Sequence, residues 1–176
     1  MRTTGITRRI DELGRVVIPK EIRRTMRLRE GEEMEIFVEE GRLVLQKFST
    51  ILHLKTYSDE IADSLANSAN CTVLIADLDS VISAAGEKRR DYNGKNLLKQ
   101  VTKLFYERIV RTLLNEDTIA VTGDDINLYK QQIFAPVIVG GDVIGGIILL
   151  SENEENTNLK LKLMELSAGI LGNILQ

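Results

Sequence analysis

Apolar and polar positions change period along this chain, and the changes divide it. Met34, Ile36 and Val38 alternate with Glu33, Glu35, Phe37 and Glu39, the period-2 pattern of a half-buried strand. Glu40-Gly41 marks a turn, and Leu43-Val44-Leu45 returns as a second strand. Upstream, two short apolar-and-basic strand candidates flank Asp11-Glu12-Leu13-Gly14, where glycine makes a positive φ cheap. Pro19 stands where a helix can begin, since its missing N–H is an orphan donor there anyway. In that helix Ile22 and Met26 are four apart and share one face. Lys20, Arg23, Arg24 and Arg27 follow i, i+3, i+4, i+7 and share another. Leu28-Arg29-Glu30-Gly31 reads as the exit, with Gly31 available for a left-handed cap. Residues 1–47 therefore read strand, strand, helix, strand, strand.

The texture changes near Gln46–Thr50, which separates a first domain, residues 1–50, from a second, 51–176. Ser49 or Thr50 can cap a helix in which Leu54, Tyr57, Ile61 and Leu65 form a seam. Thr72–Ala76 is a strand candidate, Asp77-Leu78-Asp79-Ser80 a turn, and Val81–Ala84 the return strand. Gly86–Arg90 reads as a charged loop. Leu98, Val101, Phe105, Ile109 and Leu113 predict a helix over Asn96–Asn115. Strands are expected at Thr118–Thr122, Gln132–Val139 and Val143–Leu150, the last two joined by Gly140-Gly141-Asp142. A terminal helix from Asn158 carries Leu159, Leu163, Leu166, Ile170 and Ile174 on one face. Helices combined with antiparallel strands make an α+β class.

Charge sharpens the division. Up to Arg29 there are nine basic residues against three acidic ones, a balance of +6, which leaves −9 for the rest of a chain of net charge −3. Such segregation points to a polyanionic partner at one end only. The first domain has few apolar residues for its size, so two copies are expected to share one core. Cys71 is the only cysteine and His53 the only histidine, which excludes an internal disulfide and leaves no Cys/His metal cluster. With a reducing compartment implied, no run of about 20 apolar residues and no secretory h-region, the expected location is cytoplasmic, away from the membrane.

The run Thr4-Gly5-Ile6 to Asp11-Glu12-Leu13-Gly14-Arg15-Val16-Val17-Ile18-Pro19, followed by Glu21-Ile22-Arg23-Arg24-Thr25, resembles the AbrB-type DNA-binding domain. The resemblance implies a swapped-hairpin β-barrel dimer that grips double-stranded DNA, with contacts from the matching Arg8, Arg15, Arg23 and Arg24. Lys20 and Arg27 join them from helical spacing. The element order of the second domain is similar to that of GAF-type sensor domains. Together these imply a transcriptional regulator of a spore-forming bacterium, acting on sporulation genes. An antitoxin-like DNA-binding protein, whose rear part takes a protein partner, is the alternative.

Competing chemistry finds little support. Gly140–Gly146 lacks the Gly-Lys-Ser/Thr ending of a phosphate loop and lies in a strand-turn-strand setting. Asp77 and Asp79 need no metal at a turn, and Asp124-Asp125 and Glu152–Glu155 read as surface charge. No serine sits in a Gly-x-Ser-x-Gly turn, so no enzyme, cofactor or metal is expected. The second domain either senses a small molecule or is a scaffold with a filled core. A sensor pocket is expected between Val73–Ile75, Phe134–Val139 and the helix bearing Val101 and Phe105. The seams Leu54–Leu65 and Leu159–Ile174 offer a second two-fold contact, so a homotetramer of two swapped dimers is expected.

Overall fold

The computed structural model describes residues 6–48, 55–125 and 129–175. Thr4-Gly5, the caps Ser49 and Thr50, His53 and Leu54 lie outside them. The chain divides into two compact units, Met1–Phe48 and Ser49–Gln176.

In the first unit helix α1 spans Lys20–Thr25, strand β1 Met34–Glu39 and strand β2 Arg42–Lys47. Glu40 and Gly41 both take positive φ, 48° and 75°, the conformation of a two-residue type I′ hairpin turn. It sets the register Ile36 opposite Leu45 and Val38 opposite Leu43. Opposed residues share a face, so Met34, Ile36, Val38, Leu43 and Leu45 form one apolar surface. Ile36, Val38 and Leu43 are all more than 60% exposed. The two expected upstream strands, residues 6–10 and 15–19, form no ladder among the described residues; the bond from Asp11 N–H to Arg15 O (3.0 Å) belongs to the turn between them. A strand needs a neighbour for its N–H and C=O groups, and one copy of the chain does not supply it.

The helix expectation fails at Arg27. α1 ends at Thr25, and Arg27 takes φ 54°. The Leu28 N–H donates to Arg23 O (2.8 Å) and the Arg27 N–H to Arg24 O (3.2 Å), the paired bonds of a Schellman motif. Arg27 occupies the left-handed position expected of Gly31. Gly31 also has positive φ, 77°, but in the following turn.

The second unit begins with helix α2, Lys55–Ala69, which Asn70 ends in the left-handed region. Strands β3 (Thr72–Asp77) and β4 (Val81–Ala85), helix α3 (Lys99–Tyr106), strands β5 (Arg111–Leu114), β6 (Gln131–Val139) and β7 (Asp142–Ser151), and helix α4 (Thr157–Ile174) follow. The five strands form one antiparallel sheet in the order β4-β3-β7-β6-β5. Against one face, Ala62 and Leu65 of α2 and Met164, Ala168 and Leu171 of α4 pack on Val73, Ile75, Ile133, Ile147 and Leu149. Against the other, Val101 and Phe105 of α3 pack with Tyr92, Leu97 and Tyr129 on Leu74, Phe134 and Ile148. β3 and β7 are buried on both sides, which is why they read as unbroken apolar runs rather than alternations.

Three expectations are corrected here. The helix over Asn96–Asn115 stops at Tyr106. Arg108 turns left-handed at φ 60°, and the chain returns as edge strand β5, where Thr112 suits a pleated backbone. Residues Thr118–Thr122 form no strand. The Gln132 side chain takes the place of a ladder partner: Ile119 N–H donates to its Oε1 (2.9 Å) and its Nε2 donates to Ile119 O (2.8 Å). Lastly, the stripe of α4 faces outward apart from Leu163, which packs against the core. Leu159, Leu166, Ile170 and Ile174 are 43–62% exposed, whereas Lys160, Met164, Ala168, Leu171 and Gly172 are buried. Small residues bring α4 close to β6, since a Cβ on Gly172 would lie 2.8 Å from Ile138 O. In α2, Leu65 turns into the core and, among the described residues of the seam, only Tyr57 is largely exposed.

The space expected to hold a sensor pocket is occupied. Val101, Phe105 and Phe134 are fully buried, and the Phe105 ring lies where a Cβ on Gly146 would be, 2.2 Å from its Cε1. Gly146→Ala therefore forces the ring off its rotamer, and the full chain should lose about 1–3 kcal/mol of stability in denaturant unfolding. Adding Phe105→Leu should recover part of that loss.

Candidate nucleic-acid interface

The Asp11–Arg15 turn is built by one carboxylate. Asp11 Oδ1 accepts from the N–H groups of Leu13 (3.0 Å) and Arg15 (2.8 Å), and Oδ2 from Arg15 Nε (2.7 Å). Gly14, at φ 76°, closes the loop by donating to Asp11 O (3.0 Å). Hydrogen bonds from the Arg15 backbone, then from its side chain, hold the Asp11 carboxyl below its ordinary value. The guanidinium is thereby fixed through Nε at the loop tip, and the Arg15 side chain is still 71% exposed.

Arg23 and Arg24 occupy the last turn of α1, where positive charge complements the exposed carbonyls. Lys20 opens the helix behind Pro19. All three are exposed, and among the described residues none has an acidic partner. Ile22 and Met26 instead line an apolar hollow of about 400 Å³ with Ile6, Val17, Met34 and Leu45. The basic and apolar faces of α1 are thus separate, as the spacing predicts. Arg8 stands apart from the helix group: it lines the hollow, and its Nη1 donates to Thr7 O (2.9 Å). Arg27 lies beyond the helix, so the expected i+7 continuation of the basic face is absent.

Glu32 and Lys47 were not anticipated, although they decide where α1 ends relative to the hairpin. Lys47 Nζ donates to Arg27 O (3.0 Å) and pairs with Glu32 Oε1 (2.8 Å), while Glu32 Oε2 accepts from Arg29 N–H (2.7 Å). Both side chains are 21% exposed. Their sequence separation gives no local signal. Guanidinium and ammonium groups exposed on a helix and a loop suit phosphate pairing, and the guanidinium fork also suits base edges. Glu32→Ala should lower stability by about 1 kcal/mol, seen as an earlier thermal transition of the full chain.

Among the described residues no group of three or more His, Cys, Asp or Glu is placed to hold a metal ion, and no helix is long and apolar enough to cross a membrane.

Comparison with known proteins covers both units. Residues 53–176 match the family model "Stage V sporulation protein T C-terminal, transcription factor", and residues 7–49 match "Antidote-toxin recognition MazE, bacterial antitoxin". Stage V sporulation protein T of Bacillus subtilis (strain 168) is 38% identical, over 97% of each chain. The transition state regulatory protein AbrB of the same organism is 40% identical over 37% of this chain and 68% of its own length. The second unit shares its fold with the cofactor-binding GAF domain of the nutrient sensor CodY from Clostridium difficile. The TM-score is 0.54 and the identity 18%, over 67% of this chain and 83% of that one.

Proposed function

The chain belongs to the stage V sporulation protein T family of transcription factors, and from that premise we propose that its first unit grips double-stranded DNA as a swapped-hairpin dimer. Arg8, Arg15, Lys20, Arg23, Arg24 and Arg27 are the DNA-facing set, with Arg23 and Arg24 at its centre. The observation that carries this reading is the division of α1 into an unpartnered basic face and an apolar face over an open hollow. A second copy supplies what the hollow and the unladdered arms lack: apolar side chains to fill the one and backbone partners to pair the other. It also doubles the basic surface about a two-fold axis.

The outward seam of α4 supports a further association of two such dimers into a tetramer. The second unit is then a scaffold with filled cores on both faces of its sheet, working in the cytoplasm on sporulation promoters. This reading assigns no catalytic step. An antitoxin-like tail that folds on its target fits poorly with residues 55–175, which already bury two cores.

Phosphate neutralisation should dominate affinity. For B-DNA the slope of log K against log salt is about −0.9 per phosphate contact. Arg23→Ala removes one contact per subunit, so the dimer should lose roughly two units of slope. An arginine that reads a base instead loses about 1–3 kcal/mol of discrimination with less change in slope. Lys162→Ala, on the exposed side of α4, should leave DNA binding unchanged. Lys160 is buried and is no surface control. Wild-type binding by a folded Arg23→Ala/Arg24→Ala variant would sink the reading.

Light scattering tests assembly. The full chain should run as a tetramer and residues 1–50 as a dimer. Leu166→Lys/Ile170→Lys should stop the full chain at the dimer.

A further inference from the structure

A polar pocket of about 420 Å³ opens at the end of the sheet where β3 begins and β7 stops. One wall is the end of α2, with Asn67 and Asn70. Another is the loop after β4, with Glu87 and Lys88, and a third is formed by Glu152 and Asn153 after β7. The loop wall is held tightly against the strand: a Cβ on Gly86, at φ 93°, would sit 2.5 Å from Cys71 O. No other residue fits there, so the pocket's shape is fixed by backbone. Its volume lies within the range of small-molecule sites.

Charge of both signs is placed around it. Lys88 Nζ pairs with Glu152 Oε1 at 2.7 Å and sits 5.2 Å above the Tyr129 ring. Glu87 stands exposed beside it. Behind the Cys71 and Asn153 wall lies Lys160, 3% exposed, whose Nζ donates to Ser151 Oγ (2.8 Å) and Asn153 Oδ1 (3.2 Å). Among the described residues no carboxylate pairs with it, and burial lowers its pKa. Glu155 acts on it only from a distance, so the buried ammonium group is incompletely compensated, and an anion placed just in front of that wall relieves the cost.

We propose that this pocket binds a small zwitterion of the amino-acid or short-peptide type. Its carboxylate lies at the Asn153 wall toward Lys88 and Lys160, and its ammonium group toward Glu87 and Glu152. The Lys88–Glu152 pair can open to receive such a ligand without leaving either charge unpaired, because each end of the zwitterion replaces the partner that was lost. Asn67, Asn70 and Asn153 supply donors and acceptors for a polar side chain. A ligand with one charge cannot make this exchange: it strands either Lys88 or Glu152. The inference goes beyond the DNA-binding reading and does not depend on it.

Isothermal titration calorimetry of the full chain with asparagine, glutamine, glutamate and the dipeptide glycyl-glutamine tests it. At least one should bind, and whether the free amino acids or the dipeptide bind tighter identifies the source. For the tightest, its N-acetyl derivative, which loses the ammonium charge, and its α-carboxamide, which loses the α-carboxylate charge, should each bind at least about tenfold more weakly. Lys88→Met and Glu152→Gln, both at the accessible mouth, should weaken binding by a similar factor. Thermal melts should remain cooperative, and DNA affinity without ligand should be unchanged. Absence of binding by all four compounds overturns the proposal, as does binding that is indifferent to both substitutions or to loss of either ligand charge.

Discussion

Ile36, Val38, Leu43 and Leu45 lie side by side on one face of the β1–β2 hairpin, and in a single chain water covers them. Every other feature of the first unit follows from that uncovered face. Pro19 is its one residue classed as buried among those described, so burial within one copy cannot offset the entropy of ordering more than forty residues. The same shortage governs function. Residues 6–10 and 15–19 carry Arg8 and Arg15, and among the described residues no ladder bonds join these arms to another strand. Only the Asp11-centred turn is self-sufficient, because a carboxylate supplies the acceptors that a neighbouring strand would otherwise provide.

The second unit solves the opposite problem. Its central strands bury both faces, and the two helical layers close separate cores. On the α3 side the interior is crossed by a polar thread: Tyr92 Oη contacts both Asp125 Oδ1 and Tyr129 Oη at 2.8 Å, and Asp125 Oδ2 accepts from Val121 N–H (3.0 Å). Burial pushes the Tyr129 hydroxyl up to about 12, so it remains a neutral donor throughout the physiological range. A network satisfied in this way holds the loop chain in one arrangement. With Phe105 seated over Gly146, that side of the sheet is packed rather than open. The polar opening lies instead at the sheet end, where three connections meet.

Legibility followed locality. The Glu40-Gly41 hairpin, the Asp11–Gly14 turn and the β3–β4 and β6–β7 hairpins are specified by neighbouring residues, and their positions could be read from the chain. Where the sequence misled, distant groups had intervened. Gln132 satisfies the backbone at Ile119 from thirteen residues away, which removes the reason for a strand there. The stripe through Val101, Phe105, Ile109 and Leu113 kept helical period across a left-handed Arg108, so periodicity alone could not show where helix gave way to β5. The α1 exit was misplaced for a related reason. Glycine is the usual left-handed residue, yet the Lys47–Glu32 clamp holds the carbonyl of Arg27 and fixes the turn there. The shared face of Lys20, Arg23 and Arg24 was readable because it depends on helical spacing within a few residues, while Arg27 falls beyond the end of the helix.

Helix α4 shows how one element serves two demands that a single hydrophobic stripe cannot. Its inward side is made of Ala168 and Gly172, which allow close approach to β6, together with Met164 and Leu171. Its larger aliphatic side chains, Leu159, Leu166, Ile170 and Ile174, are left outside. Reading apolar size as burial inverts this helix, because close packing on a sheet selects for small residues. Lys160 sits between these two sides, its stem buried and its ammonium group held by the β7 end. Any ligand at the sheet-end pocket could alter assembly only by changing the position of this helix, since a ligand shifts an equilibrium only by its differential affinity for the two states.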